Sequence, residues 1–202
     1  IQYAGRVFGE QEMVNLVDSA LDFWLTLGPY GELFEQKMKR FFEAKDFVFV
    51  NSGSAANLTA VLALMSQQLE DPLKPGCEVI TPAATFPTTL SPLVHSGLIP
   101  VFVDCEVGTY NINPNLIENA LSGKTRAIMI PHTLGNPCDM DIICELVKRH
   151  NLYLIEDACD ALGSTFRGRL VGTFGDLGTL SFYPAHHITT GEGGGVVVNK
   201  AR

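Results

Sequence analysis

Apolar residues first recur along the chain at helical spacing. Met13, Leu16, Val17, Ala20, Leu21 and Trp24 fall on one stripe, which predicts an amphipathic helix over residues 10–25. Gly28-Pro29 breaks it, and Leu33, Phe34, Met38, Phe41 and Phe42 mark a second helix. The pattern then changes. Short β-rich runs predict strands at Phe47–Val50, Glu78–Thr81, Pro100–Val103, Ala127–Ile130, Leu152–Ile155 and Gly178–Ser181. Helical stretches separate several of them, at Ala55–Leu69, Phe86–Ser96, Pro114–Leu121 and Asp139–His150. Asn113-Pro114 supplies an N-cap followed by a first-turn proline. Strand–helix alternation of this kind implies an α/β fold, a mainly parallel sheet with helices on both faces. Ligands of such sheets bind beyond the carboxyl ends of the strands, and each candidate residue below lies at or just after one of those ends.

Composition narrows the classes of partner. Fourteen basic and 22 acidic side chains give a formal charge of −8, with basic residues scattered, which argues against nucleic acid or an anionic membrane as partner. No apolar run reaches the roughly 18–20 residues that span a bilayer, and no secretory leader opens the sequence. A cytoplasmic location is the expectation. Cys77, Cys105, Cys138, Cys144 and Cys159 form no CxxC pair and no disulfide-scaffold spacing, so most are expected to be reduced, buried fillers.

Four stretches carry candidate chemistry. Asn51-Ser-Gly-Ser-Ala-Ala-Asn57 follows a strand and opens a helix. It reads either as an ordinary turn with Ser54 as N-cap, or as a phosphate cradle using free N–H groups and the helix dipole. Phe86 at a helix start reads first as a core aromatic. Ile155-Glu-Asp-Ala-Cys-Asp160 ends a buried strand with three acids and a cysteine. Asp157 there is either a helix N-cap or a functional carboxylate. The last stretch is Ser181-Phe-Tyr-Pro-Ala-His-His-Ile-Thr-Thr-Gly-Glu-Gly-Gly194, and no lysine occurs between Arg149 and Asn199.

That last segment resembles the signature of the pyridoxal-phosphate sugar aminotransferases, the DegT family, in which a lysine at the place of His186 binds the cofactor covalently. An imidazole has no primary amine to condense with an aldehyde, yet it moves protons near neutral pH. Asp22-Phe-Trp-Leu-Thr26, the 28–35 segment and His132-Thr-Leu-Gly-Asn-Pro137 extend the resemblance along the chain. Members of the family are much longer. The resemblance therefore implies that 1–202 covers an N-terminal segment and most of the cofactor-binding large domain, with the small C-terminal domain missing. It assigns the cofactor phosphate to Ser54, Ala55 and Ser181, the pyridine ring face to Phe86 and the ring nitrogen to Asp157. A carboxylate at that nitrogen keeps it protonated and makes the ring a better electron sink.

The histidine pair His186-His187 resembles the branch that dehydrates nucleotide-linked 4-keto-6-deoxyhexoses at C3 with loosely bound pyridoxamine phosphate. There His186 would be the base; the role of His187 stays open. Ala185-His-His-Ile-Thr and Asp157-Ala-Cys-Asp160 are similar to the iron–sulfur 3-dehydratases of CDP-linked sugars. In that group a cysteine at the place of Cys159 is one of four ligands of a 2Fe–2S cluster, a partner reductase supplies electrons, and the enzyme is a dimer. Competing readings are the deaminating GDP-4-keto-6-deoxymannose 3-dehydratases, a sugar-nucleotide aminotransferase, a non-catalytic relative, and an unrelated nucleotide-binding domain. No G-x-G-x-x-G follows a strand to support the last.

Overall fold

The structure is a computed structural model in which residues 4–200 are described. The ends of the expected 1–202 span, residues 1–3 and 201–202, lie outside the described residues. Two helices open the chain, α1 (Glu10–Leu21) and α2 (Gly28–Phe41). Then come β1 (Asp46–Val50), α3 (Gly53–Leu64), β2 (Glu78–Pro82), α4 (Pro87–His95) and β3 (Ile99–Val103). They are followed by α5 (Pro114–Ile117), β4 (Thr125–Pro131), α6 (Met140–Arg149) and β5 (Tyr153–Asp157). A small hairpin of β6 (Thr165–Phe166) and β7 (Arg169–Leu170) precedes β8 (Leu177–Ser181) and β9 (Gly194–Val198).

Seven strands form one sheet in the order β1-β9-β8-β5-β4-β2-β3. β8, β5, β4, β2 and β3 are mutually parallel, and β9 runs antiparallel to both its neighbours, β8 and β1. This is the expected α/β sheet, and all six predicted strands are in it. Alternation along the strands sends side chains to opposite faces. Val79, Ala127, Met129, Tyr153 and Ile155 pack with Ala60, Val61 and Leu64 of α3. Ile80, Ile128, Ile130 and Leu154 pack instead with Ile143, Leu146 and Val147 of α6. Met38 of α2 and Phe42 beyond it close over Phe47, Leu180 and Val197, and Phe34 of α2 meets Phe182 edge-on with ring centres 5.0 Å apart. Each fully buried side chain of this size contributes about 1.5–3 kcal/mol.

Several boundaries differ from expectation. α3 is capped by Ser52, not Ser54: Ser52 Oγ accepts the Ala55 N–H at 3.0 Å. The helix also stops at Leu64 rather than Leu69, and the Leu73 N–H then donates to Leu64 O at 2.8 Å. The predicted 114–121 helix is α5 followed by a 3-10 turn, Glu118–Ala120. α1 forms where the stripe predicts it but buries none of its residues, so Leu16, Val17 and Leu21 are exposed.

Gly194 shows how tightly β9 closes the sheet. It pairs with Val50 on one side and Ser181 on the other, and an added Cβ would fall against the backbone of Ser52 and Gly53. Those atoms begin α3 and cannot swing aside as a side chain could. Gly194→Ala in the full-length protein is expected to lower stability by on the order of 3 kcal/mol through overpacking. The urea midpoint should fall at an unchanged slope, and an unchanged midpoint would show that the backbone yields there.

Candidate functional site

The carboxyl ends of β1, β2, β4, β5 and β8 open onto one cavity of about 550 Å³. At one end lies the turn Ser52-Gly53-Ser54 at the start of α3, where first-turn N–H groups and the helix dipole favour an anion. A Cβ on Gly53 would sit 2.5 Å from Ser181 Cβ, 2.9 Å from Ser181 Oγ and 3.1 Å from Cys159 Sγ, so only glycine allows this approach. Ser54 and Ser181 line the cavity on either side of it. Ala55 does not line it, and its N–H is held by Ser52.

Asp157 forms the floor at the end of β5, a strand buried along its whole length. Its Oδ2 accepts hydrogen bonds from Asn57 Nδ2 and Thr89 Oγ1, both at 2.8 Å. Its Oδ1 accepts the Cys159 N–H at 3.2 Å and keeps lone-pair capacity for a further donor. Asn57 is itself fixed, donating to Thr88 O at 3.1 Å and accepting from Thr179 Oγ1 at 2.6 Å. Sequence reasoning missed Asn57 and Thr89. The available signal was a lone amide among the apolar residues of α3, on the face turned to the sheet.

Below the cavity wall lies a second buried pair. His132 Nδ1 accepts the Cys138 N–H at 3.1 Å, which places the ring hydrogen on Nε2, 3.0 Å from Glu156 Oε2. Glu156 also accepts the Gly172 N–H at 2.8 Å and the Gly175 N–H at 2.7 Å. A fully buried carboxylate is thereby satisfied on both oxygens, and His132 is held rigidly where it lines the cavity.

His186 lines the cavity from the 182–193 loop, as do Tyr183, Ala185 and Glu192. No lysine is among the described residues lining it. His187 is exposed and does not line it. Phe86 corrects the core-aromatic reading: it is 69% exposed and presents its ring at the cavity, as the N-cap of α4. Cys159 lines the cavity beside Ser181 and Gly53. Burial and the adjacent Asp157 carboxylate push its thiol well above the ordinary range, so it stays protonated. All five cysteines are free, and no group of three or more His, Cys, Asp or Glu side chains among the described residues could hold a metal ion.

An anion cradle, an exposed aromatic, a buried carboxylate with spare acceptor capacity and a histidine thus surround one space large enough for a phosphorylated heteroaromatic and part of a substrate. A family model described as the DegT/DnrJ/EryC1/StrS aminotransferase family matches residues 8–202. The chain is 53% identical over 194 residues to the lipopolysaccharide biosynthesis protein RfbH of Salmonella typhimurium, spanning 96% of this chain and 44% of that protein. It is 54% identical over 198 residues to the dTDP-4-dehydro-2,6-dideoxy-D-glucose 3-dehydratase of Saccharopolyspora spinosa, spanning 98% of this chain and 43% of that one. Among solved structures it is similar to the E. coli GDP-4-keto-6-deoxy-D-mannose-3-dehydratase with bound hydrated PLP. That match has a TM-score of 0.91 at 36% identity and covers 98% of this chain and 51% of that one. The chain spans about half the length of these relatives. No helix among the described residues is long and apolar enough to cross a membrane.

Proposed function

The chain belongs to the DegT/DnrJ/EryC1/StrS aminotransferase family, and on that premise we propose that the whole protein is a pyridoxamine-phosphate-dependent 3-dehydratase of a nucleotide-linked 4-keto-6-deoxyhexose. The observation that carries this reading is His186: it lines a cavity otherwise fitted to the cofactor, with no lysine among the described lining residues. The first turn of α3, Ser54 and Ser181 would hold the phosphate, Phe86 would pack on the ring face, and Asp157 Oδ1 would receive the ring N–H. When bound, the aminated cofactor would supply the amine that condenses with the C4 keto group and a ring that takes up an electron pair. His186 would remove a proton from the carbon bearing that amine and return it to the hydroxyl leaving C3, the freed electron pair ending in a new double bond at C3. One C–H and one C–O bond break, and water departs.

The iron–sulfur expectation stands differently. Four thiolates are the usual set for a 2Fe–2S cluster, and Cys159 is the single cysteine of the described chain at the cavity. The described residues thus offer at most one of the four ligands, and iron analysis of the full-length protein tests the cluster and its reductase. A homodimer and a cytoplasmic location go with the reading, supported by the free cysteines and the exposed apolar side of α1. For the nucleotide, cytidine diphosphate is the choice the sequence resemblance favours, and the dTDP-sugar relative at 54% identity makes thymidine diphosphate its rival. The GDP-sugar 3-dehydratase of E. coli O55:H7 is less similar, at 38%. Relative turnover of CDP-, dTDP- and GDP-linked substrates by the full-length protein decides among them.

Attachment of the cofactor gives the direct test. The full-length protein should bind pyridoxamine phosphate reversibly, and borohydride treatment with pyridoxal phosphate should label nothing in residues 181–194. A reduced cofactor adduct on any side chain of that segment, found by peptide mass spectrometry, would overturn the reading.

A further inference from the structure

Asp160 lines the same cavity, and its Oδ1 lies 3.2 Å from His186 Nδ1. We propose that Asp160 is the positioning residue for His186: its carboxylate, in ion-pair contact with Nδ1, favours the ring tautomer with the hydrogen on that nitrogen and leaves Nε2 as the proton acceptor. What Nε2 then does rests on the dehydratase reading; the tautomer itself does not.

A neutral imidazole carries one hydrogen, and which nitrogen holds it is set by the partner at the other. The remaining ionisable groups lining the cavity are Asp157, Cys159, His132, Tyr183 and Glu192. Asp157 is committed to Asn57, Thr89 and the Cys159 N–H. His132 faces Glu156. Among the described carboxylates, Asp160 is the one in contact with a ring nitrogen of His186.

Both partners sit on constrained backbone. On the Asp160 side, the Ala161 N–H donates to Ala158 O at 2.9 Å. Gly135, at φ +81°, packs so closely that a Cβ there would lie 2.9 Å from Asp160 O. Ser164 Oγ in turn donates to Gly135 O at 2.8 Å. On the other side, the His186 N–H donates to Tyr183 O at 3.0 Å, and the Phe182 N–H to Gly193 O at 2.8 Å. The carboxylate is 52% exposed, whereas the imidazole is 21% exposed and lines the cavity. One turn thus serves two ends of the chemistry, with Asp157 for the ring nitrogen and Asp160, three residues on, for the base.

The test uses the full-length protein loaded with pyridoxamine phosphate and labelled with 15N-histidine, with His186→Gln to assign the resonances. Wild-type His186 should carry its hydrogen on Nδ1, and Asp160→Asn should shift the population toward the Nε2–H form. In the same variant kcat should fall about 10–100-fold, as on loss of an orienting partner, with KM changed by less than about 2-fold because ground-state binding is untouched. Asp160→Glu should restore the Nδ1–H form and most of kcat. A wild-type ring with its hydrogen on Nε2, or an Asp160→Asn protein with unaltered tautomer and kcat, would overturn the assignment. If the wild type dehydrates no sugar nucleotide tested while the tautomer moves as described, the dehydratase reading fails and the role of Asp160 in fixing the ring stands.

Discussion

His186→Lys in the full-length protein is expected to abolish most 3-dehydration and to produce an absorbance near the edge of the visible as the new amine captures the carbonyl form of the cofactor. A positioned general base contributes about 10²–10⁴-fold, so dehydration should drop by that order. The side chain starts from a position that already lines the cavity, and the loop carries Gly191 and Gly193 close by. Asp160 modifies the outcome. A carboxylate 3.2 Å from the original ring nitrogen would hold a lysine as its ammonium and slow capture, so His186→Lys combined with Asp160→Asn should give the stronger band. The ratio of dehydrated to aminated sugar is the quantity to measure. An unchanged ratio alongside a clear band would mean that the histidine does not determine the reaction's outcome.

Asp157→Asn is expected to have the second large effect, and in two separate measurements. Turnover should fall on the order of 100-fold, the scale for removing a preorganised electrostatic partner. Stability should fall as well, which the sequence alone did not suggest. Oδ2 accepts two side-chain donors and Oδ1 accepts the Cys159 N–H. Whichever way an asparagine amide turns, its NH₂ meets a donor instead of an acceptor. A buried conflict of that kind costs about 1–3 kcal/mol, which a urea midpoint would register. Near-normal turnover would remove Asp157 from the chemistry, and an unshifted midpoint would mean that the donors find other partners.

The parts of the fold that were readable beforehand are those where burial and periodicity coincide. The runs at residues 127–130 and 152–155 are continuous apolar strands because both their faces are covered, and their alternate residues enter two different cores. The hairpin of β6 and β7 was not readable, since two strands of two residues each carry no period. The helix cap was placed two residues late because Ser52 and Ser54 are chemically equal, and only geometry distinguishes the hydroxyl that reaches the Ala55 N–H. In the site, the acids at the end of β5 were visible as a cluster, but their division of labour was not. Glu156 turns away to bind His132 while Asp157 faces the cavity, because successive residues of a strand point to opposite faces. For Phe86 the residue type alone pointed to the core, because burial statistics describe what an aromatic usually does, whereas its ring is 69% exposed at the cavity.

The loop carrying His186 leaves from β8 and returns on β9, which pairs directly with β8. Both its ends are clamped: the Phe182 N–H reaches Gly193 O at 2.8 Å, and Phe182 O accepts from the Thr190 N–H at 3.1 Å and from Thr189 Oγ1 at 2.9 Å. Because the anchors are main-chain groups and the Thr189 hydroxyl, away from the crown, the residue at the crown carries little responsibility for folding. Such a loop behaves as a replaceable cassette. An exchange of its central side chain is therefore expected to leave the pairing of β8 with β9 in place.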